Sequence, residues 1–179
     1  MIVSMNIVST TLETEGAIQV ARLMCVAART APKGRGVDEL ETLVLTEKHK
    51  DRLADRMQKI GEEKNLAFFV RDAGNMRSSV AVVLLGSRNN VRNIPHCGYC
   101  GFEDCAASKA AGAVCAFCSG DLGIACGSAA AVAADARVDT RIMFSAGKSA
   151  LDLGLFSDDI ALAYGLPLSV SGKSPYFDR

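Results

Sequence analysis

The alternation of apolar and polar positions predicts helices and strands that follow one another along the whole chain. Apolar residues recur on one broad face of 13–29, which predicts a helix, and Thr10 or Thr11 is expected to cap its start. Residues 47–64 predict a second, strongly charged helix with a narrow apolar face. The pattern of 66–76 fits either a helix or a strand.

Short apolar runs predict the strands. Residues 79–85 form the clearest one, because the run is apolar on both faces and therefore indicates a strand buried on both sides. Residues 42–45 and 160–166 predict two more strands, and 141–144 is a further strand candidate. Alternating helices and strands, with no repeat and no linker, predict a single layered α/β or α+β domain over residues 1–179.

After the middle of the chain, a helix rich in glycine and alanine is predicted over 121–137, with Asp121 as its N-cap. A short helix is predicted over 148–155. The loop Lys33-Gly34-Arg35-Gly36 has two interpretations: an ordinary solvated turn, or a loop that holds a phosphate through backbone amides and two cations.

Six of the seven cysteines lie between His96 and Ala129. Five of them have the spacing C-x2-C-x4-C-x9-C-x2-C, and we call residues 95–119 the cysteine-rich segment; the five are Cys97, Cys100, Cys105, Cys115 and Cys118. Thiolates this close in sequence can converge on one metal centre. Cys25 and Cys126 lie in apolar helical surroundings, which indicates buried core positions. His96 is expected to be a surface or supporting residue.

The spacing leaves three interpretations open. In a [4Fe–4S] site the three local cysteines, Cys97 to Cys105, are joined by Cys115 or Cys118; Cys115 is favoured because 106–114 can form two helical turns that return it to the site. In a structural zinc site the two C-x2-C pairs supply four ligands. In the third interpretation the thiols bind no metal.

Composition and charge limit the classes of function that the protein can have. The chain has 179 residues, 49% of them hydrophobic, with 20 basic and 20 acidic residues and zero net charge. Zero net charge removes the strongest argument for a nucleic-acid or membrane partner and leaves association unopposed, which suits an oligomer. No stretch predicts a membrane span or a signal peptide, so we expect a reducing cytoplasmic location, where clustered cysteines indicate metal or redox ligands. With two histidines in the chain, His49 and His96, hydrolytic chemistry has almost no candidates.

The sequence CGYCGFEDC resembles the small iron–sulfur motif of corrinoid iron–sulfur proteins and of some membrane electron-transfer complexes. Nearly the full chain, through stretches such as DLGIACGSAAAVAAD and RIMFSAGKSALDLGL, is similar to a family of ferredoxin-domain-containing proteins. This resemblance implies an iron–sulfur protein that transfers electrons to or from a redox partner protein.

The helix that ends in Ala-Arg-Thr-Ala-Pro and the Gly-Leu-Pro-Leu near the end resemble the nitroreductase fold. That resemblance implies an α+β domain, a three-layer α/β/α sandwich, into which the cysteine-rich segment is inserted. It also implies a homodimer with FMN at the subunit interface, with contacts from the matching positions Arg29, Thr30, Lys33, Arg35 and Lys173.

These observations give three function classes. The first is an iron–sulfur electron carrier, the second an FMN-dependent nitroreductase-like oxidoreductase, and the third a zinc-stabilised structural or binding protein.

Overall fold

A computed structural model describes residues 6–177, and in them four strands and six α-helices form three layers. The strands are β1 (Leu40–Thr46), β2 (Ala81–Arg88), β3 (Asp139–Thr140) and β4 (Ile160–Ser169). The helices are α1 (Ser9–Thr30), α2 (Glu47–Glu63), α3 (Ala67–Arg77), α4 (Cys105–Ala110), α5 (Ala116–Asp135) and α6 (Phe144–Asp152), with a 3₁₀ turn at Gly34–Gly36.

The strands form one antiparallel sheet in the order β1-β2-β4-β3. At one end of the sheet, Leu40 lies opposite Ser87, and Ser87 lies opposite Leu162. At the other end, Ala81 lies opposite Leu168. The chain leaves β2 at the first of these ends and goes directly into the cysteine-rich segment, so that segment begins at this end of the sheet.

Helices cover both faces of the sheet, as predicted for a three-layer α/β/α domain. Val83 and Leu85 of β2 pack in a core with α1 and α5, whereas Val82 and Leu84 pack in a second core with α2, α3 and α6. The alternation follows from the two-residue period of a strand. Burying each of these side chains contributes about 1.5–3 kcal/mol, which explains why β2 is apolar on both faces.

The start of α1 differs from the prediction. The helix begins at Ser9, with Val8 in the N-cap position, so Thr10 and Thr11 lie inside its first turn and neither is the cap. The apolar pattern located the helix correctly, but the helix begins about one turn before the predicted start at residue 13.

The predicted start of α5 is wrong by five residues. The helix begins at Ala116 with Cys115 as its N-cap, and Asp121 lies in its second turn. Asp121 indicated a cap because aspartate is a preferred N-cap residue and this one stands just before the apolar run. In the structure the carboxylate of Asp121 is instead paired with Arg92.

The predicted strand over 141–144 is also wrong. β3 comprises only Asp139 and Thr140, Met143 forms a single bridge to Gly165, and Phe144 begins α6. This helix starts earlier than the predicted 148–155. Gly147 lets it lie directly on β4, because a Cβ there would be 1.9 Å from the Ala163 carbonyl oxygen. The ambiguous residues 66–76 form helix α3.

Candidate functional site

Four of the five cysteines in the cysteine-rich segment line one cavity of about 300 Å³ at the end of β2. They are Cys97, Cys100, Cys105 and Cys115. His96 is exposed in the wall of the same cavity. We call this space the cysteine cavity. The three local cysteines and the fourth, ten residues further along the chain, therefore face a common volume.

A tight turn and a helix cap position the three local cysteines. Gly98 and Gly101 have φ values of 64° and 84°, which favour glycine, and the Gly101 N–H donates to the Gly98 carbonyl at 2.9 Å. Asp104 caps α4 by accepting a hydrogen bond from the Ala107 N–H at 2.8 Å. Cys105, the first residue of α4, is thereby fixed beside the turn.

Asn89, the first residue after β2, anchors the backbone around Cys115. Its Nδ2 donates to the Ala113 carbonyl at 2.9 Å, and its Oδ1 accepts from the Cys115 N–H at 2.9 Å. Asn89 thus pairs with the connection between α4 and α5 much as a neighbouring strand would. The predicted helical return to Cys115 is shorter than expected, because α4 ends at Ala110 and Gly112 turns the chain with a φ of 64°.

Hydrogen bonds favour the thiolate form of Cys115. Burial by itself raises the pKa of this thiol, but backbone N–H groups of Arg92, Cys118 and Phe117, together with the Cys118 thiol, outweigh burial and lower the pKa. Such N–H donors at the start of a helix are the environment in which a sulfur anion is stabilised.

Cys100 has a lowered pKa as well. The largest cause is the backbone N–H of Phe102, followed by the hydroxyl of Ser108. The Ser108 hydroxyl is buried and has no other hydrogen-bond partner among the described residues. Two cysteines of the cavity are therefore predisposed to act as anionic ligands.

Cys118 has a different environment. It is fully buried outside the wall of the cysteine cavity, and its Sγ donates to the Asn90 carbonyl at 3.1 Å. Burial raises its pKa to about 11, against the opposing charge of Arg92. Cys126 is buried in the core, as predicted, and burial raises its pKa to about 12, whereas Cys25 is only half-buried.

A buried ion pair supports the wall behind Cys115. Arg92 is 4% exposed, and its Nη2 donates to Oδ2 of Asp121 at 3.1 Å. Oδ1 of the same carboxylate accepts from the Gly34 N–H at 2.9 Å. The pair therefore links the connection after β2, helix α5 and the loop after α1.

Sequence reasoning missed Asn89, Arg92 and the pairing of Asp121. The available signal was the polar composition of the connection SRNNVRNIP between a buried strand and the first cysteine. Polar side chains at such a junction can satisfy backbone groups that leave the sheet, but their partners lie 24 to 29 residues away and depend on the fold.

The residues expected to contact FMN in the loop after α1 make contacts within the chain. Arg29 Nη1 donates to Asp38 Oδ2 at 2.6 Å, and Lys33 Nζ donates to three backbone carbonyls at the end of α1, at 2.5 to 3.0 Å. Arg35 Nη1 donates to the Arg92 carbonyl at 2.9 Å, and Thr30 Oγ1 bonds to carbonyls of its own helix. The two cations of this loop thus hold backbone carbonyls, which favours the structural turn over the phosphate loop.

Lys173 lies away from that loop within the chain. It follows β4 at the Ala81 end of the sheet, where the tail is held by a hydrogen bond of 2.8 Å between the hydroxyls of Tyr176 and Ser79. The loop after α1 lies instead beside Leu40, at the opposite end of the sheet. The structure therefore brings Arg29 to Arg35 together and leaves Lys173 apart from them.

Residues 6–177 contain no ready-made site for a single metal ion and one helix that could cross a membrane by length and composition. Within these residues no group of three or more His, Cys, Asp or Glu side chains is arranged to hold a single metal ion. One described helix, α5, has the length and apolar composition to cross a membrane. In this fold α5 packs on α1 and the sheet and carries the buried Asp121, as a core helix does.

Sequence comparison places these features in a family. A family model described as "uncharacterized protein containing a ferredoxin domain (DUF2148)" matches residues 111–179, which include Cys115 and Cys118. An uncharacterized protein from Archaeoglobus fulgidus is 39% identical over 175 residues, covering 93% of this chain and 94% of that protein. The chain belongs to this family.

Solved structures share the fold of this family member at low sequence identity. The FMN-dependent nitroreductase NfnB from Mycobacterium smegmatis, in complex with NADPH, aligns with a TM-score of 0.58 and 13% identity over 87% of this chain and 78% of that chain. A BluB-like flavoprotein from Clostridium difficile 630 aligns with a TM-score of 0.58 and 15% identity over 98% and 88%. A nitroreductase with bound FMN from Desulfitobacterium hafniense gives 0.58 and 13% over 90% and 82%. The fold is therefore nitroreductase-like, as expected.

Proposed function

We propose that this protein is a redox protein that binds a [4Fe–4S] cluster through Cys97, Cys100, Cys105 and Cys115 and passes single electrons to or from a partner protein. The observation that carries the proposal is that these four thiols line one cavity while Cys118 is buried outside its wall. The ferredoxin domain in the family description supports a redox role.

The donor set fits a cluster. Four thiols are the ligands that [4Fe–4S] clusters use, and two of them, Cys100 and Cys115, have lowered pKa values. The cysteine cavity, about 300 Å³, has room for a cluster of several atoms between the sulfurs. A single zinc ion, in contrast, would hold four sulfurs close together around one point, at Zn–S distances of about 2.3 Å.

The zinc alternative requires Cys118. The two C-x2-C pairs supply four ligands only if this thiol, which is hydrogen-bonded to Cys115 and Asn90, joins the lining of the cavity and loses its proton. Its complete burial and its hydrogen bond to the Asn90 carbonyl oppose that change. The iron–sulfur set requires no such rearrangement of the core.

When bound, the cluster supplies one-electron transfer, and the chain supplies its surroundings. Backbone N–H groups of Arg92, Phe117 and Cys118 point at the Cys115 sulfur. Hydrogen bonds to a ligand sulfur withdraw electron density and so favour the reduced state. Cys118, which is fully buried, excludes water from that side of the site.

FMN dependence is the second candidate function, and the likeness to FMN-containing structures supports it. The residues at the positions that would contact FMN do not fit FMN binding in the described conformation. Arg29, Lys33 and Arg35 are held by groups of the chain itself, so a flavin phosphate would have to displace a carboxylate or backbone carbonyls. We therefore assign no step to FMN.

We also propose a homodimer in the reducing cytoplasm. Helix α1 exposes the apolar side chains of Leu12, Leu23 and Val26 by 53, 47 and 60%. A second copy of the chain would bury these surfaces. Seven unpaired cysteines fit a reducing compartment.

Metal and flavin analysis of protein purified without oxygen tests the proposed function. We expect about four iron atoms and about four sulfides per chain and a broad absorption near ~400 nm that bleaches on reduction with dithionite. The core variant Cys126→Ala should keep this iron content. Stoichiometric zinc without iron would support the zinc class instead, and stoichiometric flavin without iron would support the FMN class.

A further inference from the structure

A second cleft, of about 420 Å³, adjoins the cysteine cavity. Tyr99, Phe117 and Ile124 form its apolar walls, and Gly34 lies at its base. Ala116 and Phe117 belong to both spaces, so a molecule in the cleft is separated from the cysteine cavity by a single layer of residues. We call this space the aromatic cleft. Its volume lies within the range typical of small-ligand sites.

Two parallel aromatic rings shape the cleft. The rings of Tyr99 and Phe117 lie 1° from parallel with their centroids 6.0 Å apart. Tyr99 is 80% exposed, although it sits in the middle of the cysteine turn between two proposed ligands. An aromatic ring held flat and open to solvent presents a face on which another ring can stack.

The charged side chains that border the cleft already have hydrogen-bond partners within the chain. The Asp121 carboxylate pairs with the buried Arg92, and the Lys33 ammonium is hydrogen-bonded to carbonyls at the end of α1. The three N–H donors of Lys33 are thus in use, and the cleft offers a ligand mainly apolar and aromatic contacts. This environment suits an uncharged ligand and opposes a phosphate group.

The position of Phe117 is fixed by close packing. A Cβ built at Gly34 would lie 2.9 Å from Phe117 Cδ1, so the backbone at Gly34 and the ring of Phe117 leave no room for a side chain between them. The Gly34 N–H is in turn bonded to Asp121. One wall of the cleft is thus preformed, which reduces the entropy lost when a ligand binds.

From these four observations we infer that the aromatic cleft binds a planar, uncharged aromatic compound of the quinone class, stacked against Tyr99 and Phe117. Binding as such goes beyond the proposed electron-carrier function and does not require the cluster. The shared wall means that a ligand bound there lies beside the proposed cluster ligands.

Calorimetric titration of the anaerobically purified protein tests this inference. The probe is 2,3-dimethyl-1,4-naphthoquinone, which is planar and uncharged and carries methyl groups at the ring positions that thiols would otherwise attack. We expect saturable binding that Tyr99→Ala weakens about fivefold or more, the size of a lost stacking contact. Tyr99→Phe should retain the affinity, because the ring is kept.

The matched control is Phe177→Ala, which removes another exposed aromatic ring (62% exposed) outside the cleft and should leave the affinity unchanged. Equal affinity in Tyr99→Ala and the parent protein would overturn the inference, as would the absence of binding. Tighter binding of FMN than of the quinone would also overturn it, since it would indicate a site for a charged ligand. Iron counted in the same samples separates the two proposals: quinone binding without iron supports the cleft and contradicts the cluster.

Discussion

Asn89 and Cys115 are joined by a hydrogen bond in which the Cys115 N–H donates to the Asn89 Oδ1 at 2.9 Å. The same carboxamide donates to the Ala113 carbonyl at 2.9 Å. One side chain at the end of β2 therefore fixes the backbone that carries the fourth proposed cluster ligand. Elsewhere in the sheet this kind of pairing is made by backbone alone, and here a side chain replaces it.

Asn89→Ala should lower both stability and iron content. The change leaves a part-buried N–H and carbonyl without their partner, which costs about 1–3 kcal/mol in the free energy of unfolding. Urea titration and iron analysis measure the two effects. The neighbouring Asn90, whose side chain is exposed, provides the control, and Asn90→Ala should change neither quantity appreciably. Equal effects of the two variants would show that Asn89 does not position the site.

Cys115→Ala and Cys118→Ala should separate the candidate fourth ligands. We expect Cys115→Ala to lose most of its iron and its absorption near ~400 nm, because a cluster ligand is removed. Cys118→Ala removes a small buried thiol outside the cavity wall and should keep the iron, with a modest loss of stability. The opposite pattern, with iron lost only in Cys118→Ala, would exchange the two assignments.

Asp121→Ala should destabilise the protein by an amount at the low end of about 3–5 kcal/mol, because it leaves the buried Arg92 with only its longer ion pair of 3.8 Å to Glu39. Asp135→Ala, at the exposed end of the same helix, should change the free energy of unfolding by less than about 0.5 kcal/mol. Replacing both Arg92 and Asp121 by leucine should recover part of the loss. If the single and double variants were equally unstable, the buried charge would not be the cause.

Gly147→Ala should destabilise the domain by about 3 kcal/mol or more, since the new Cβ would meet the Ala163 backbone and force α6 away from β4. Gly74→Ala is the matched change in another helix. Its Cβ would meet no atom within 4 Å, so we expect a gain of about 0.5–1 kcal/mol from helix propensity. Thermal unfolding measures both, and a neutral Gly147→Ala would mean that α6 does not lie this close to the sheet.

Asp38 should make the free energy of unfolding depend on pH in the acid range. Burial by itself raises the pKa of Asp38, but hydrogen bonds from Arg29 and the Leu40 N–H outweigh it and lower the pKa in the folded state. A carboxyl with a lowered pKa contributes fully above its unfolded value of about 3.9, and the contribution is lost as pH falls through the folded value.

The measurement is the difference in free energy of unfolding between the parent protein and Asp38→Asn. It should be constant from about pH 5 to 7 and shrink below about pH 4. The exposed Asp158→Asn should show a difference below about 0.5 kcal/mol throughout. A difference for Asp38→Asn that does not change with pH would rule out the Arg29 pairing as its source.

The sequence by itself determined the layered fold and the grouping of the three local cysteines. A run that is apolar on both faces identified β2, because a strand between two helical layers has no polar side. The local spacing of Cys97, Cys100 and Cys105 predicted a shared site, because residues this close in sequence meet through a single turn and one helix start. Both patterns involve residues that are close in sequence, so they can be recognised without knowledge of the fold.

Only the tertiary structure decided how distant residues contribute. Cys115 and Cys118 are the two ends of one C-x2-C pair, but only Cys115 lines the cavity, whereas Cys118 is fully buried and donates to the Asn90 carbonyl, a partner 28 residues away. Asp121 was predicted as a cap and pairs instead with Arg92, 29 residues away. Such pairings follow from the packing of the layers and from strand register, and burial then makes the pairing of each charge obligatory.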